Sequence, residues 1–65
     1  MGNGNIQIGD VFVCKGRRHV VTQKDEDNKE QWWCHVYENY EYAGKSTVLD
    51  TVLYKMRHAG NLADM

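Results

Sequence analysis

The strongest constraint on the fold is a run of aromatic residues in the middle of the chain. Residues 31–42, QWWCHVYENYEY, contain both tryptophans and three of the four tyrosines of this 65-residue chain. A domain of this size buries only about 60% of the surface of its unfolded chain, which leaves little room for a deep cleft. The aromatic run is therefore expected either to supply half of the core or to divide between the core and a contact surface.

Composition narrows the class of protein. The chain is 42% apolar and 26% charged, and its formal net charge is −1, so the whole molecule does not attract nucleic acid or anionic lipid. No apolar stretch approaches the roughly 18 residues that would span a bilayer, and the polar start lacks the features of a secretory signal. We expect one cytoplasmic domain over residues 1–65, with no membrane contact and with residues 1–5 disordered.

The first third of the chain has the pattern of a β-strand. In residues 6–14, Val11 and Val13 fall on one side of an extended chain, and Phe12 and Cys14 fall on the other. Apolar side chains on both sides indicate a strand in the middle of a sheet.

Turn signals and further strands follow. Residues 15–17 contain the glycine of a tight hairpin, and residues 18–23, RHVVTQ, are rich in β-branched side chains. The polar stretch 25–30, DEDNKE, is typical of a solvated loop. The aromatic run then predicts a third strand and a fourth, with a bend at Glu38 and Asn39 between them.

The last third of the chain changes its period and favours a helix. Its apolar positions form one helical stripe: Val48, Leu49, Val52, Leu53 and Met56. Asp50 or Ser46 is expected as the N-cap, and Gly60 is placed for a left-handed C-cap. A short strand over residues 47–53 is the alternative, because this stretch is also rich in β-branched side chains.

Together these segments predict an α+β fold. Three to five antiparallel strands with a C-terminal helix indicate a small antiparallel sheet or a partly open barrel of the SH3-like kind. The string IGDVFVCKGRRHVVT resembles the opening strand pair of small SH3-like domains, in which a Gly-Asp pair leads a strand into a short hairpin. In size and general sequence character the chain is also similar to the compact accessory proteins that phages encode to modify host or defence machinery.

The cysteines and histidines do not form a recognisable chemical motif. Cys14 and Cys34 are expected to be reduced and to pack as small apolar side chains. A metal site that uses them with His19 and His35 is the alternative, but the paired spacings of such sites are missing, and neighbours in a strand point to opposite faces. Nucleophile-elbow, phosphate-loop and dinucleotide motifs are missing too. The sequence predicts no metal, no cofactor and no enzymatic activity.

Strand alternation divides the aromatic run between two faces. Trp32, Cys34 and Val36 share one face, and Trp33, His35 and Tyr37 share the other. The first set is more apolar and is expected to face the core, which leaves the second set outward or partly covered. The alternative is that the helix lies on the second set and buries it.

The outward aromatic side chains indicate a binding function. Tryptophan and tyrosine are frequent at the centres of protein interfaces, so we expect a non-enzymatic module, a regulator or inhibitor that covers a site on a larger protein. The predicted contact residues are Trp33, His35, Tyr37, Tyr40, Tyr42, Arg17 and Arg18. The alternative is a nucleic-acid-binding barrel that uses the basic hairpin with the aromatic face. Small size and spare aromatic surface slightly favour a homodimer.

Overall fold

The computed structural model describes residues 6–64 of the chain, so the prediction that residues 1–5 are disordered lies outside the described residues. The elements in chain order are β1 (Asp10–Cys14), β2 (Arg17–Lys24), β3 (Gln31–Glu38), β4 (Glu41–Leu49), α1 (Asp50–Lys55), β5 (Arg57–Asn61) and a 3-10 turn (Leu62–Asp64). This part of the chain is largely β-structure with little helix. Within it, no helix is both long and apolar enough to cross a membrane.

The strands form one antiparallel sheet in the order β4-β3-β2-β1-β5. Strands β1 to β4 are neighbours in sequence and in space, and β5 returns to pair with β1. The prediction of a small antiparallel sheet of three to five strands is confirmed, and β1 has a neighbour on each side, as its two apolar faces indicated.

Two hairpins in the sheet close through two-residue turns with positive φ angles. Lys15 and Gly16 join β1 to β2 with φ of 52° and 79°, and Asn39 and Tyr40 join β3 to β4 with φ of 51° and 67°. Positive φ at both central residues matches the twist of the flanking strands. The first turn falls where the sequence predicts it, and the second falls one residue later than predicted.

The core lies on one face of the sheet, which we call the core face. Its buried cluster consists of Ile6, Phe12, Val21, Cys34 and Leu53, with Trp32, Val48 and Met56 packed against it. Leu53 comes from α1, so the helix covers the core face. Within residues 6–64 no α-helix covers the other face, which we call the open face. The alternative in which the helix buries Trp33, His35 and Tyr37 is therefore wrong.

The predicted C-terminal helix needs correction. The helix is only six residues long, lies between β4 and β5, and begins after Leu49, whose side chain makes no capping hydrogen bond; Asp50 is its first residue. Val48 belongs to β4, where it pairs with Trp32, and Gly60 belongs to β5 with a φ of 118°. The β-branched stretch extends the sheet because β3 offers a free edge with which it can pair.

Candidate binding groove on the open face

Two rows of side chains cross all five strands on the open face. Strand register aligns Lys45, His35, Val20, Val11 and Gly60 in one row. It aligns Tyr42, Tyr37, Arg18, Val13 and Arg57 in the other. Directly opposed residues of antiparallel strands point to the same side of a sheet, so these ten positions share one surface.

A groove of about 720 Å³ runs over this surface. Its lining residues are Ile8, Gly9, Val11, Arg18, Val20, Val21, Thr22, His35, Tyr37, Tyr40, Ala59 and Leu62. Val11 is buried in the floor, whereas the rim is open to solvent: Ile8 is 64% exposed, Leu62 52% and Tyr40 81%. We call this feature the open groove. An exposed apolar rim of this kind is typical of an interaction surface.

Aromatic side chains border the groove on the side of β3 and β4. The ring of Tyr42 meets the rings of His35 and Tyr37 edge to face, at centroid distances of 5.3 and 5.6 Å. These edge-to-face contacts hold the three rings in fixed positions, which lowers the entropy lost when a partner packs against them. Three of the predicted contact residues thus form one cluster.

Tyr40 stands at the tip of the turn between β3 and β4. The guanidinium carbon of Arg18 lies 4.3 Å from the centre of its ring, and Arg18 Nη2 donates a 3.3 Å hydrogen bond to Tyr40 Oη. A cation over the face of a tyrosine is attracted by the negative charge of the ring face. Both predicted residues therefore lie together at one end of the open groove.

The two neighbouring arginines of the predicted site separate to opposite faces. Arg17 is paired with Cys14 on the core face, and its Nε lies 3.0 Å from Glu38 Oε2. Arg18 is paired with Val13 on the open face. Because adjacent strand residues alternate, only Arg18 of the pair reaches the groove.

Trp33 is on the open face but outside the groove lining. It borders a smaller recess of about 370 Å³ with Thr22, Gln23, His35 and Lys45. His35 lines both cavities, so Trp33 lies on a side extension of the groove rather than at its centre.

Several groove residues escape sequence reasoning. Alternation in β1 and β2 separates the face that carries Val11 and Val20 from the core face. It does not show that this face stays uncovered. Ala59 and Leu62 reach the groove only because β5 pairs with β1, and the sequence of β5, RHAGN, has no strand signal. Arg57 becomes part of the surface for the same reason.

A polar cluster joins β1 to β5 on the core face. Asp10 is buried, and its carboxylate accepts hydrogen bonds from the Gln7 N–H and from Asn61 Nδ2, both at 2.9 Å. His58 Nε2 lies 3.3 Å from the same carboxylate. Burial alone raises the pKa of Asp10, but the bonds from Asn61, Gln7 and His58 outweigh it and lower the pKa below its ordinary value. This cluster fastens β5 in place.

The cysteines do not lie at the groove. Cys34 is fully buried in the core, and burial raises the pKa of its thiol to about 11. Cys14 is partly buried and borders a recess with His19 and Met56 at the first hairpin. Among residues 6–64, no three His, Cys, Asp or Glu side chains come together in a group suited to a metal ion.

Comparison with known proteins adds no relative. No protein-family model, no curated protein and no solved structure matches the chain. The function must therefore be inferred from the groove itself.

Proposed function

We propose that this chain is a non-enzymatic protein-binding module that acts in the cytoplasm and covers a site on a larger protein, as a regulator or inhibitor of the kind that phages encode. The observation that carries the proposal is the open groove, an apolar concavity of about 720 Å³ on the sheet face opposite the helix. An exposed concave apolar surface with aromatic borders is typical of a protein interface.

The proposal includes an SH3-like architecture. Support for this part comes from the strand order, because the last strand pairs with the first and a short helix precedes it. The tight hairpin between β1 and β2 adds to the likeness.

The conformation of Tyr40 supports a functional rim. The left-handed backbone conformation costs a residue other than glycine roughly 1–2 kcal/mol relative to its usual conformations. Asn-Gly is therefore the preferred pair in such a turn. This chain has a tyrosine there instead, 81% exposed and with a φ of 67°. Local strain at an exposed aromatic side chain is expected where that side chain serves binding rather than folding.

The chemistry of the lining supports binding rather than turnover. The described residues of the groove include no Asp, Glu, Cys or Ser side chain, and Thr22 already donates its hydroxyl proton to the Trp33 carbonyl at 3.1 Å. The one histidine, His35, packs against the Tyr42 ring. Such a lining buries apolar side chains and gives few partners for proton transfer.

Site-specific photo-crosslinking tests the proposal. A benzophenone amino acid replaces Leu62 at the groove rim in one variant and Val52 of α1 in the matched control, since Val52 is also an exposed apolar residue but belongs to the helix on the core face. We expect one protein to be crosslinked in cells from position 62 and not from position 52. Crosslinks from position 52 alone, or from neither position, would contradict the proposal.

Nucleic acid is the second candidate, because the open face carries Arg18, Lys45 and Arg57. Oligo-dT and oligo-rU binding at several salt concentrations tests it. A phosphate-binding surface loses affinity steeply as salt rises, and the slope falls when these cations are removed. We expect binding too weak to measure at physiological salt; tight, salt-dependent binding would replace the protein-binding proposal.

A further inference from the structure

We propose that the segment bound in the open groove is acidic: an extended stretch of the partner polypeptide in which apolar side chains alternate with Asp and Glu. This inference rests on the proposed function and adds the chemistry of the partner. Its basis is that the sheet separates charge between its two faces, although the chain as a whole is close to neutral.

Positive charge collects on the open face. Strand register places Arg18, Lys45 and Arg57 there; of these, Arg18 lines the groove and Lys45 lines the recess beside it. The strand carboxylates all lie on the core face: Asp10 opposite Asn61, and Glu38 opposite both Arg17 and Glu41. Within the described strands, the open face therefore has three permanent positive charges and no negative one.

The cations of the open face also make no ion pair with any described residue. In residues 6–64, the basic side chains within 4 Å of a carboxylate are Arg17 with Glu38, Lys24 with Asp50 and the imidazole of His58 with Asp10, all from the core face. Arg18 instead contacts the Tyr40 ring. Unpaired cations around a groove attract a partner of opposite charge and repel a basic one, which sets both the association rate and the specificity.

The groove floor selects a polypeptide over a nucleic acid. Half of the twelve lining residues have aliphatic side chains: Ile8, Val11, Val20, Val21, Ala59 and Leu62. Such a lining gains free energy by burying apolar side chains, which a sugar-phosphate backbone does not supply. Stacking of bases needs free ring faces, and here Arg18 lies over one face of the Tyr40 ring while the Tyr42 ring packs against two neighbours, which reduces the ring surface open to bases.

Selection from a random library of linear peptides tests the inference with a probe that assumes no partner. The wild-type protein and the double variant K45E/R57E are used as baits. The control is K29E/K55E, which changes the net charge equally at two exposed residues away from the open face, one in the loop between β2 and β3 and one in α1. Circular dichroism verifies that both variants fold. We expect the wild type and the control to enrich peptides with apolar residues between Asp and Glu, and K45E/R57E to bind them about tenfold more weakly.

Three results would overturn the inference. The first is enrichment of peptides without excess acidic residues, the second is equal binding of the selected peptides by K45E/R57E, and the third is failure to enrich any peptide. Tight oligo-dT binding by the same three cations, with no peptide enriched, would assign the face to nucleic acid. If crosslinking from position 62 still captures one protein while the selected peptides are not acidic, the proposed function stands and only the acidic chemistry falls.

Discussion

At the scale of single residues, Tyr40 offers the sharpest distinction between folding and function. It occupies the left-handed position of a turn where glycine is preferred, and its ring is exposed at the groove rim. Replacing Tyr40 by glycine relieves the backbone strain but removes the contact with Arg18. We expect Y40G to raise the free energy of unfolding by about 0.5–1 kcal/mol and to weaken binding to the crosslinked partner.

Urea unfolding and a binding titration measure the two effects of Y40G. The control is Asn39→Gly at the preceding turn position, which also has a positive φ but adds no aromatic surface. N39G is expected to leave binding unchanged. Loss of stability in Y40G, or full binding by Y40G, would show that Tyr40 serves the turn rather than the partner.

The two tryptophans are expected to differ in their contributions to stability. Trp32 packs against the core cluster, and its Nε1 donates a hydrogen bond to Asp50, whereas Trp33 lies on the open face beside the groove. We expect Trp32→Ala to lower the free energy of unfolding by about 3 kcal/mol and Trp33→Ala by about 1 kcal/mol. Chemical denaturation of both variants measures this, and the reverse order would mean that the faces are wrongly assigned.

Asp10 links stability to pH. Its pKa is lowered on folding, so the folded state favours the ionised carboxylate, and the stability that this contributes is complete above the ordinary pKa of 3.8. As the pH falls through the lower folded-state pKa, that stability is lost. Asp25, whose pKa is lowered by hydrogen bonds from Gln31 and from the Asp27 N–H, acts in the same direction.

The pH dependence can be assigned to Asp10 by substitution. We expect the urea midpoint of the wild type to fall below about pH 4, and Asp10→Asn to be less stable at neutral pH with a flatter acid limb. Asp27→Asn, in the exposed loop, is the control and should keep the wild-type profile. If the loss of stability at acid pH were unchanged in D10N, a group other than Asp10 would be its cause.

At the scale of secondary-structure elements, sequence patterns identify the first three strands and miss the end of the chain. Alternation and the Lys15–Gly16 turn identify β1 and β2, because both signals are local. The stretch from Val48 to Leu53 satisfies a helical stripe and a β-branched strand equally, and the structure divides it between β4 and α1. β5 has no local signal, since its strand conformation comes from pairing with β1.

The junction of β1 and β5 depends on Gly9. Its φ is 95°, the Leu62 N–H donates a 2.9 Å hydrogen bond to its carbonyl, and a Cβ there would lie 3.0 Å from Asn61 Oδ1. Gly16 in the first turn also has a positive φ, but a Cβ there would meet no atom within 4 Å among the described residues.

These two glycines form a matched pair for mutation. We expect Gly16→Ala to cost about 1 kcal/mol through backbone strain alone, and Gly9→Ala to cost more, about 2 kcal/mol, because the hydrogen-bonded side-chain amide of Asn61 must also move. Thermal or urea unfolding of both variants compares them. Equal losses would mean that the close approach of the Asn61 side chain adds nothing to the cost of a Cβ at Gly9.

At the scale of the whole molecule, the amino-acid composition does not reveal that charge is separated between the two faces of the sheet. Net charge excludes a uniformly basic protein, but it does not reveal that three cations share one face with a groove. Tyr40 and Tyr42 belong to the aromatic run that the sequence singles out, but their ring contacts and the positions of Lys45 and Arg57 depend on strand register and on β5. Strand register depends on tertiary structure, so local sequence patterns do not predict it.

That the chain forms a homodimer is also a prediction about the whole molecule. If a second copy covered the open groove, the groove variants would change the oligomeric state. Sedimentation equilibrium of the wild type and of Leu62→Asp measures this. We expect L62D to lose partner binding without a change in mass, because the groove is proposed for a different polypeptide; dissociation of a dimer by L62D would identify the second copy as the occupant.

The most direct test of the open groove as a binding surface is an NMR titration of the isotope-labelled protein with the protein captured from position 62. We expect the amide resonances of Val11, Val20, His35, Tyr37 and Ala59 to shift or broaden, while those of α1 stay unchanged. Shifts concentrated on α1 and the core-face edge, with the groove amides unaffected, would contradict the assignment of the open groove as the binding surface.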